Sequence, residues 1–172
     1  LMDRLQNQVP GYSMRMQEVT AAMLTPQIER LSTIKKIHVD NWELLHSLIH
    51  DHPNIEIPLP LPEVDPFCDT MQFHLVGLSR DEADRFIDLM KQEGIPMQIF
   101  GARRNARDFR QWEYIKAHQD ELNETIANIE FACDLSMQPH LTQENIRIMA
   151  QVIQDVLTYI GAVSYTHLRA HE

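Results

Sequence analysis

The sequence predicts an α/β chain of α+β character: a short, mainly antiparallel sheet with helices on one face, preceded by a long bent helix. Three observations carry this expectation. Apolar residues recur at spacings of three to five from Val19 to Ile49, as along one face of a helix. Thr70–Leu78 alternates, with Met71, Phe73 and Leu75 on one side, as a half-buried strand does. Between that strand and a second apolar stretch, Ile95–Phe100, stands a helix with both ends signalled, so strand, helix and strand follow in one compact unit.

The 172 residues, 44% of them apolar and 23% charged, amount to one domain with enough chain to bury a core. No apolar run approaches the length that spans a bilayer and no signal peptide opens the chain, so a cytoplasmic protein without a membrane partner is expected. A net charge of −10, from 15 Lys and Arg against 25 Asp and Glu, has the wrong sign for a phosphate backbone and excludes nucleic acid as a partner class. Cys68 and Cys133 lie far apart with no CxxC spacing. They suit neither a disulfide framework nor a metal knuckle and are expected as small buried apolar residues in a reducing compartment. His46 and His50 share the i, i+4 spacing of a metal pair, but no carboxylate or thiolate closes a ligand set, so no metal is expected.

In chain order, Leu1–Pro10 reads as an incoming loop. A Gly11-Tyr12-Ser13 turn then leads to Arg15, set between Met14 and Met16 just before a helix. A phenol, a hydroxyl and a guanidinium at a helix start can present donors to an anion; buried pairing of Arg15 with Glu18 is the alternative. The helical pattern of Met16–His50 runs through Val19, Met23, Ile28, Leu31, Ile34, Val39, Trp42, Leu45 and Ile49. Pro26 has no N–H to offer the carbonyl of Ala22, which predicts one bent helix or two nearly collinear ones.

Asp51–Asn54 stops that helix, and the Pro-punctuated Ile55–Leu61 is an edge strand at most. Pro62–Pro66 is loop. Ser79 and Glu82 form a capping box that opens a helix to about Glu93, where Gly94 ends it. Gly101–Tyr114 is a loop carrying Arg103, Arg104, Arg107 and Arg110 with Phe109, Trp112 and Tyr114. It reads either as a solvated loop beside acidic neighbours or as a patch for a small phosphate or carboxylate. A helix over His118–Phe131, a short strand over Asp134–Met137 and a last helix capped by Thr142 and ending near Gly161 complete the chain.

Three regions follow: 1–50, an inter-domain loop and spine helix; 51–162, a C-terminal small domain; and 163–172, a tail without periodicity. The tail resembles adapter or vector read-through, so His167 and His171 are left out of any site.

Gly11, Tyr12, Arg15, Met16, Glu18, Ala21 and Ala22, continuing into Gln27, Glu29, Arg30 and Leu31, resemble the Gly-Tyr-Asn-x-Arg-Met segment of the DegT/DnrJ/StrS family of sugar aminotransferases. Glu93-Gly94-Ile95-Pro96, the aromatic Trp112–Tyr114 and the closing Ala132–Thr142, with Ser136, His140, Leu141 and Thr142 in register, follow the same family's order. The likeness runs from Val9 to about Ile160, and Ser13 stands where the family has Asn.

The resemblance implies the carboxy-terminal part of a fold-type I enzyme that uses pyridoxal 5'-phosphate and works as a homodimer. It implies amino transfer from glutamate or glutamine to a keto-sugar, often nucleotide-linked, in surface polysaccharide or amino-sugar biosynthesis. Ser13 would meet the phosphate of the neighbouring subunit's cofactor. Tyr12, Arg15, Arg103, Arg104 and Trp112 would face the substrate, guanidinium for phosphate or carboxylate and indole for stacking. The catalytic set is empty, because such chemistry needs a Schiff-base lysine. Of Lys35, Lys36, Lys91 and Lys116, none follows a strand and a phosphate-holding loop, so this chain alone is expected to be inactive. Two other readings remain beside it: a sugar dehydratase or deoxygenase of the same family with His in place of that lysine, and a non-catalytic α/β binding or dimerisation domain.

Overall fold

Two helices in succession form the spine of the computed structural model, which describes residues 16–102 and 108–169, apart from the side chains of 118–121 and 163–169. Helix α1 spans Glu18–Ile28 and α2 spans Leu31–Ile49. Pro26 lies inside α1, and the break falls after it, at Glu29–Arg30, where the Arg30 N–H donates to the Gln27 carbonyl in a tightened turn. The expected pair of successive helices is thus present.

The apolar periodicity has two different outcomes along the spine. Leu45 and Ile49 of α2 are fully buried, and α2 lies against the last helix. In α1 no side chain is buried: Val19, Met23 and Ile28 are 70%, 64% and 67% exposed. Val19 and Met23 lie close together on the helix but Ile28 is turned about half a revolution away, so the three form no single stripe, and no described element packs on them.

The sheet has four strands: β1, Ile55–Glu56; β2, Thr70–Leu75; β3, Met97–Ile99; and β4, Ala132–Ser136. Their spatial order is β1-β2-β4-β3 and every pairing is antiparallel. β1 is an edge, and Pro58 just beyond it keeps the strand short. β2 and β3 therefore run parallel with β4 inserted between them, so the strand–helix–strand unit is a split one. Register places Cys133 opposite both Phe73 and Ile99, and Leu135 opposite both Met71 and Met97.

Those six side chains form the inner face of the sheet. They pack with Phe86 and Met90 of α3 (Arg80–Gln92), Leu45 and Ile49 of α2, and Ile146, Ile153 and Leu157 of α5 (Gln143–Arg169). Phe73 and Phe86 meet edge to face, with centroids 6.5 Å apart. Burying each such side chain contributes roughly 1.5–3 kcal/mol before conformational entropy is set against it. On the other face Gln72, Gln98 and Ser136 are exposed, while Ala132 and Asp134 of the central β4 are buried.

α3 begins as its sequence signals: the Ser79 N–H donates to Glu82 Oε2 at 2.7 Å, and the Glu82 N–H to Ser79 Oγ at 3.4 Å. It ends at Gly94, whose φ of +79° is open to glycine at little cost. Thr142 and Asn145 make the same reciprocal cap before α5, at 2.9 and 3.2 Å.

Two helical segments differ from expectation. The helix expected over His118–Phe131 is a 3-10 segment, Glu113–Glu121, followed by α4, Asn123–Glu130, with Leu122 outside the helical region at φ −108°, ψ 33°. Asp120 and Asn123 flank that break, and such side chains favour turns and caps over helix interiors. α5 continues past Gly161 to Arg169, because one glycine costs only about 1 kcal/mol and no proline follows. Cys133 is buried as expected, whereas Cys68 is half-buried and sits at φ +60°. Among the described residues, no helix is long and apolar enough to cross a membrane.

Candidate functional site

A cleft of about 910 Å³ opens where β3 ends, between the start of α3 and the end of α4. Gly101 forms its floor. The Gly101 N–H donates to the Ile129 carbonyl at 2.8 Å, and a Cβ at this position would stand 2.9 Å from that oxygen, so the approach requires glycine.

On one wall, Asp108 is only 2% exposed and its carboxylate is wrapped by Arg110. Arg110 Nε lies 2.8 Å from Asp108 Oδ1 and Nη2 lies 2.9 Å from Oδ2. The backbone N–H of Arg110 donates to the same Oδ1 at 3.0 Å, which caps the 3-10 turn Phe109–Gln111. A further bond, Nη2 to the Gly101 carbonyl at 2.7 Å, ties the two ends of the 101–110 stretch together. The hydrogen bond to Asp108 holds the guanidinium above its ordinary pKa, burial acts against this, and the charges of Asp108 and Glu130 add to it. On the opposite wall Arg80 donates to the Glu130 carbonyl at 2.8 Å and pairs with Asp84 at 3.0 Å.

Both described cations of the cleft are therefore engaged by the protein itself. Against them stand three carboxylates, Asp84, Asp108 and Glu130, with the Gln111 amide. Asp108 is closed by Arg110 and Asp84 is paired with Arg80, so the charges on the described walls are largely matched.

Of the residues expected at the site, Tyr12, Ser13, Arg15, Arg103 and Arg104 lie outside the described residues. Trp112 is described: it is half-buried and stacks on Tyr114, ring centroids 5.7 Å apart and 15° from parallel. Arg110, one of four arginines that the sequence left open between a loop beside acidic neighbours and an anion patch, is clamped on the acidic neighbour Asp108. Sequence reasoning missed Asp108 and Gly101 as the groups that fix this cleft. An Asp two residues before an Arg, at the start of a turn, was the available signal for the first.

The four lysines do not provide a Schiff-base site. Lys35 is paired with Asp65, and Lys36 with Asp40 at 2.6 and 2.8 Å. Lys91 is exposed in the last turn of α3, and Lys116 is exposed in the 3-10 segment. None lines the cleft. The described residues thus do not fit pyridoxal phosphate by themselves. The thiols are equally unsuited to nucleophilic work: burial and then the Asp134 charge push Cys133 far up, while burial and then Glu43 raise Cys68.

His46 and His50 do meet, with centroids 5.1 Å apart, but their rings are stacked within 13° of parallel. Parallel rings send their lone pairs along parallel planes and do not converge on one ion. His50 Nδ1 is moreover 3.1 Å from the His46 carbonyl and Nε2 is 3.2 Å from Asp51. Among the described residues no group of three potential ligands could hold a metal.

The model of the DegT/DnrJ/EryC1/StrS aminotransferase family matches residues 2–154. No curated protein matches the sequence significantly. Among solved structures, a protein described as a sugar aminotransferase, Spr1654 from Streptococcus pneumoniae in its apo form, superposes with a TM-score of 0.70 at 16% identity, covering 91% of this chain and 39% of its own. 3-Amino-5-hydroxybenzoic acid synthase gives a TM-score of 0.69 at 20% identity, covering 88% of this chain and 41% of its own. PseC of Helicobacter pylori, an aminotransferase of pseudoaminic acid biosynthesis, gives 0.68 at 12%, with 85% and 38% covered. At these identities the likeness speaks for the fold, and the chain spans about two fifths of the length of these proteins.

Proposed function

The chain belongs to the DegT/DnrJ/EryC1/StrS aminotransferase family, and we propose that it is the carboxy-terminal part of a pyridoxal-phosphate-dependent enzyme that transfers an amino group to a keto-sugar. The family match over residues 2–154 is the observation that carries this reading. The sheet and its helices supply the small domain, and the Schiff-base lysine comes from outside these 172 residues. The exposed apolar residues of α1 support that division: Val19, Met23 and Ile28, spread round the helix, have no partner among the described elements, as expected of a helix that leads out of a larger body.

In the assembled enzyme the donor is glutamate or glutamine, and the acceptor is a keto-sugar, often nucleotide-linked, of amino-sugar or surface polysaccharide biosynthesis. The enzyme acts as a homodimer in the cytoplasm, with Ser13 reaching the phosphate of the neighbouring subunit's cofactor. Tyr12, Arg15, Arg103, Arg104 and Trp112 face the acceptor. Arginines other than the engaged Arg80 and Arg110 would meet the phosphates of the acceptor.

The test uses the longer protein recovered with its upstream coding sequence. A lysine after a phosphate-binding loop, an aldimine absorbance band and amino transfer from glutamate are expected. Absence of both the band and the transfer would sink the proposal. A histidine at that position would move the protein to sugar dehydration.

A further inference from the structure

A second cleft, about 380 Å³, lies on the far side of α2, between Trp42 and the proline-rich loop that joins β1 to β2. Its walls are Trp42, Pro58, Pro60, Pro66 and Phe67, and Cys68 and Asp69 close one end. The walls are held firmly. Trp42 stacks on His46 with centroids 5.0 Å apart, Phe67 lies 5.2 Å from the His38 ring, and Lys35 pairs with Asp65 across the loop. The backbone of Cys68 adopts φ +60°, a conformation that L-residues rarely take and that recurs at ligand-binding segments.

The charge around this cleft is one-sided. Besides burial, Glu43, Asp69 and Asp65 all raise the Cys68 thiol, and only Lys35 acts the other way. Lys35 is already matched by Asp65. Glu43 and Asp69 are exposed and make no ion pair among the described residues. An aromatic wall with the unmatched Asp69 in its lining, and Glu43 of α2 acting on the same Cys68 from outside that lining, favours a cation with an apolar stem, which can lie on the indole while its head meets Asp69.

The surface next to the cleft extends beyond what one small cation covers. Leu59 and Leu61, each 69% exposed, alternate with Pro58, Pro60 and Pro62, and the loop leaves β1, the terminal strand of the sheet. We propose that this cleft and its leucine-lined rim bind an extended basic segment of a partner protein, one arginine side chain lying between Trp42 and Phe67. The partner is defined by chemistry: arginine alternating with apolar residues. This surface lies outside the Gly101 cleft and does not rest on the aminotransferase reading.

Calorimetric titration of the full chain at low salt with acetyl-Leu-Arg-Leu-Arg-Leu-amide tests the idea. The same peptide with citrulline for arginine keeps the shape and removes the charge. The arginine peptide is expected to bind roughly tenfold or more tighter than the citrulline peptide, a gap that the Glu43→Gln, Asp69→Asn double variant abolishes. Both carboxylates are exposed, so this variant should fold; circular dichroism checks it, and Trp42→Phe gives a second, conservative probe that should weaken binding. Equal binding of the two peptides, or a double variant that binds like the parent, would overturn the proposal. So would acetyl-arginine amide binding as tightly as the peptide, since the site would then take a small cation and no chain segment.

Discussion

Arg110 closes on Asp108, two residues before it, through a two-pronged contact of 2.8 and 2.9 Å, and the same guanidinium reaches back to the Gly101 carbonyl at 2.7 Å. One side chain thus joins both ends of the arginine-bearing stretch. Asp108→Ala should destabilise the chain by about 2 kcal/mol, since Arg110 is partly exposed and can regain water. Asp108→Asn, which keeps the shape and loses the charge, should cost less. Urea unfolding of the two variants gives the order, and equal stability of both with the parent would remove the clamp.

The His46 pKa is lowered by burial and then by repulsion from His50, and that of His52 is lowered by burial. A histidine whose folded pKa lies below its unfolded value of 6.5 binds protons more readily in the unfolded chain. Stability is therefore fully present above that value and declines as pH falls below it. The melting temperature should drop between pH 7 and pH 5. His46→Phe, which keeps the stack without the titration, should flatten the slope, and an unchanged slope would clear His46 of the effect.

Cys68 at φ +60° reverses the usual order of glycine and alanine. Alanine retains the left-handed strain of about 1–2 kcal/mol, whereas glycine does not. Cys68→Gly should therefore unfold at a higher denaturant concentration than Cys68→Ala, with the same slope. The opposite order would mean that the loop relaxes.

The exposed α1 residues give a prediction that separates the piece from the whole. Val19→Lys, Met23→Lys and Ile28→Lys together should change the stability of this chain by less than about 1 kcal/mol, because none of the three is buried here. In the longer protein the same substitutions should reduce assembly, read by light scattering, and amino transfer with it. No change in the longer protein would show that these side chains stay wet.

Much of the small domain was legible because its signals are local. The Ser79–Glu82 box, the positive φ at Gly94, the alternation of Met71, Phe73 and Leu75 and the proline that keeps β1 short each act within a few residues. What escaped depends on distant neighbours. Counting spacings of three to five does not separate Leu45, which has α5 to pack on, from Val19, which has no described element against it; the helical phase does, since the apolar residues of α1 are spread round the helix and those of α2 share a face. Likewise the segment read as a minor strand from Asp134 became the central β4, because pairing with both β2 and β3 is decided by the rest of the sheet. At the Gly101 cleft, four arginines looked alike in sequence, yet the backbone path brings Arg110 onto Asp108. Five of the six residues expected to bind cofactor or substrate lie outside the described residues, and Trp112 alone is seen, stacked on Tyr114.

The place of β4 also sets an order of events on the ribosome. β2 and β3 have no common neighbour until Ala132–Ser136 has left the exit tunnel, and the helix that seals their inner face, α5, comes later still. Until then Met71, Phe73 and Ile99 are apolar edges without a match. Chains halted before this point should be captured by chaperones or aggregate, and the sheet should form in a single late step set by long-range pairing.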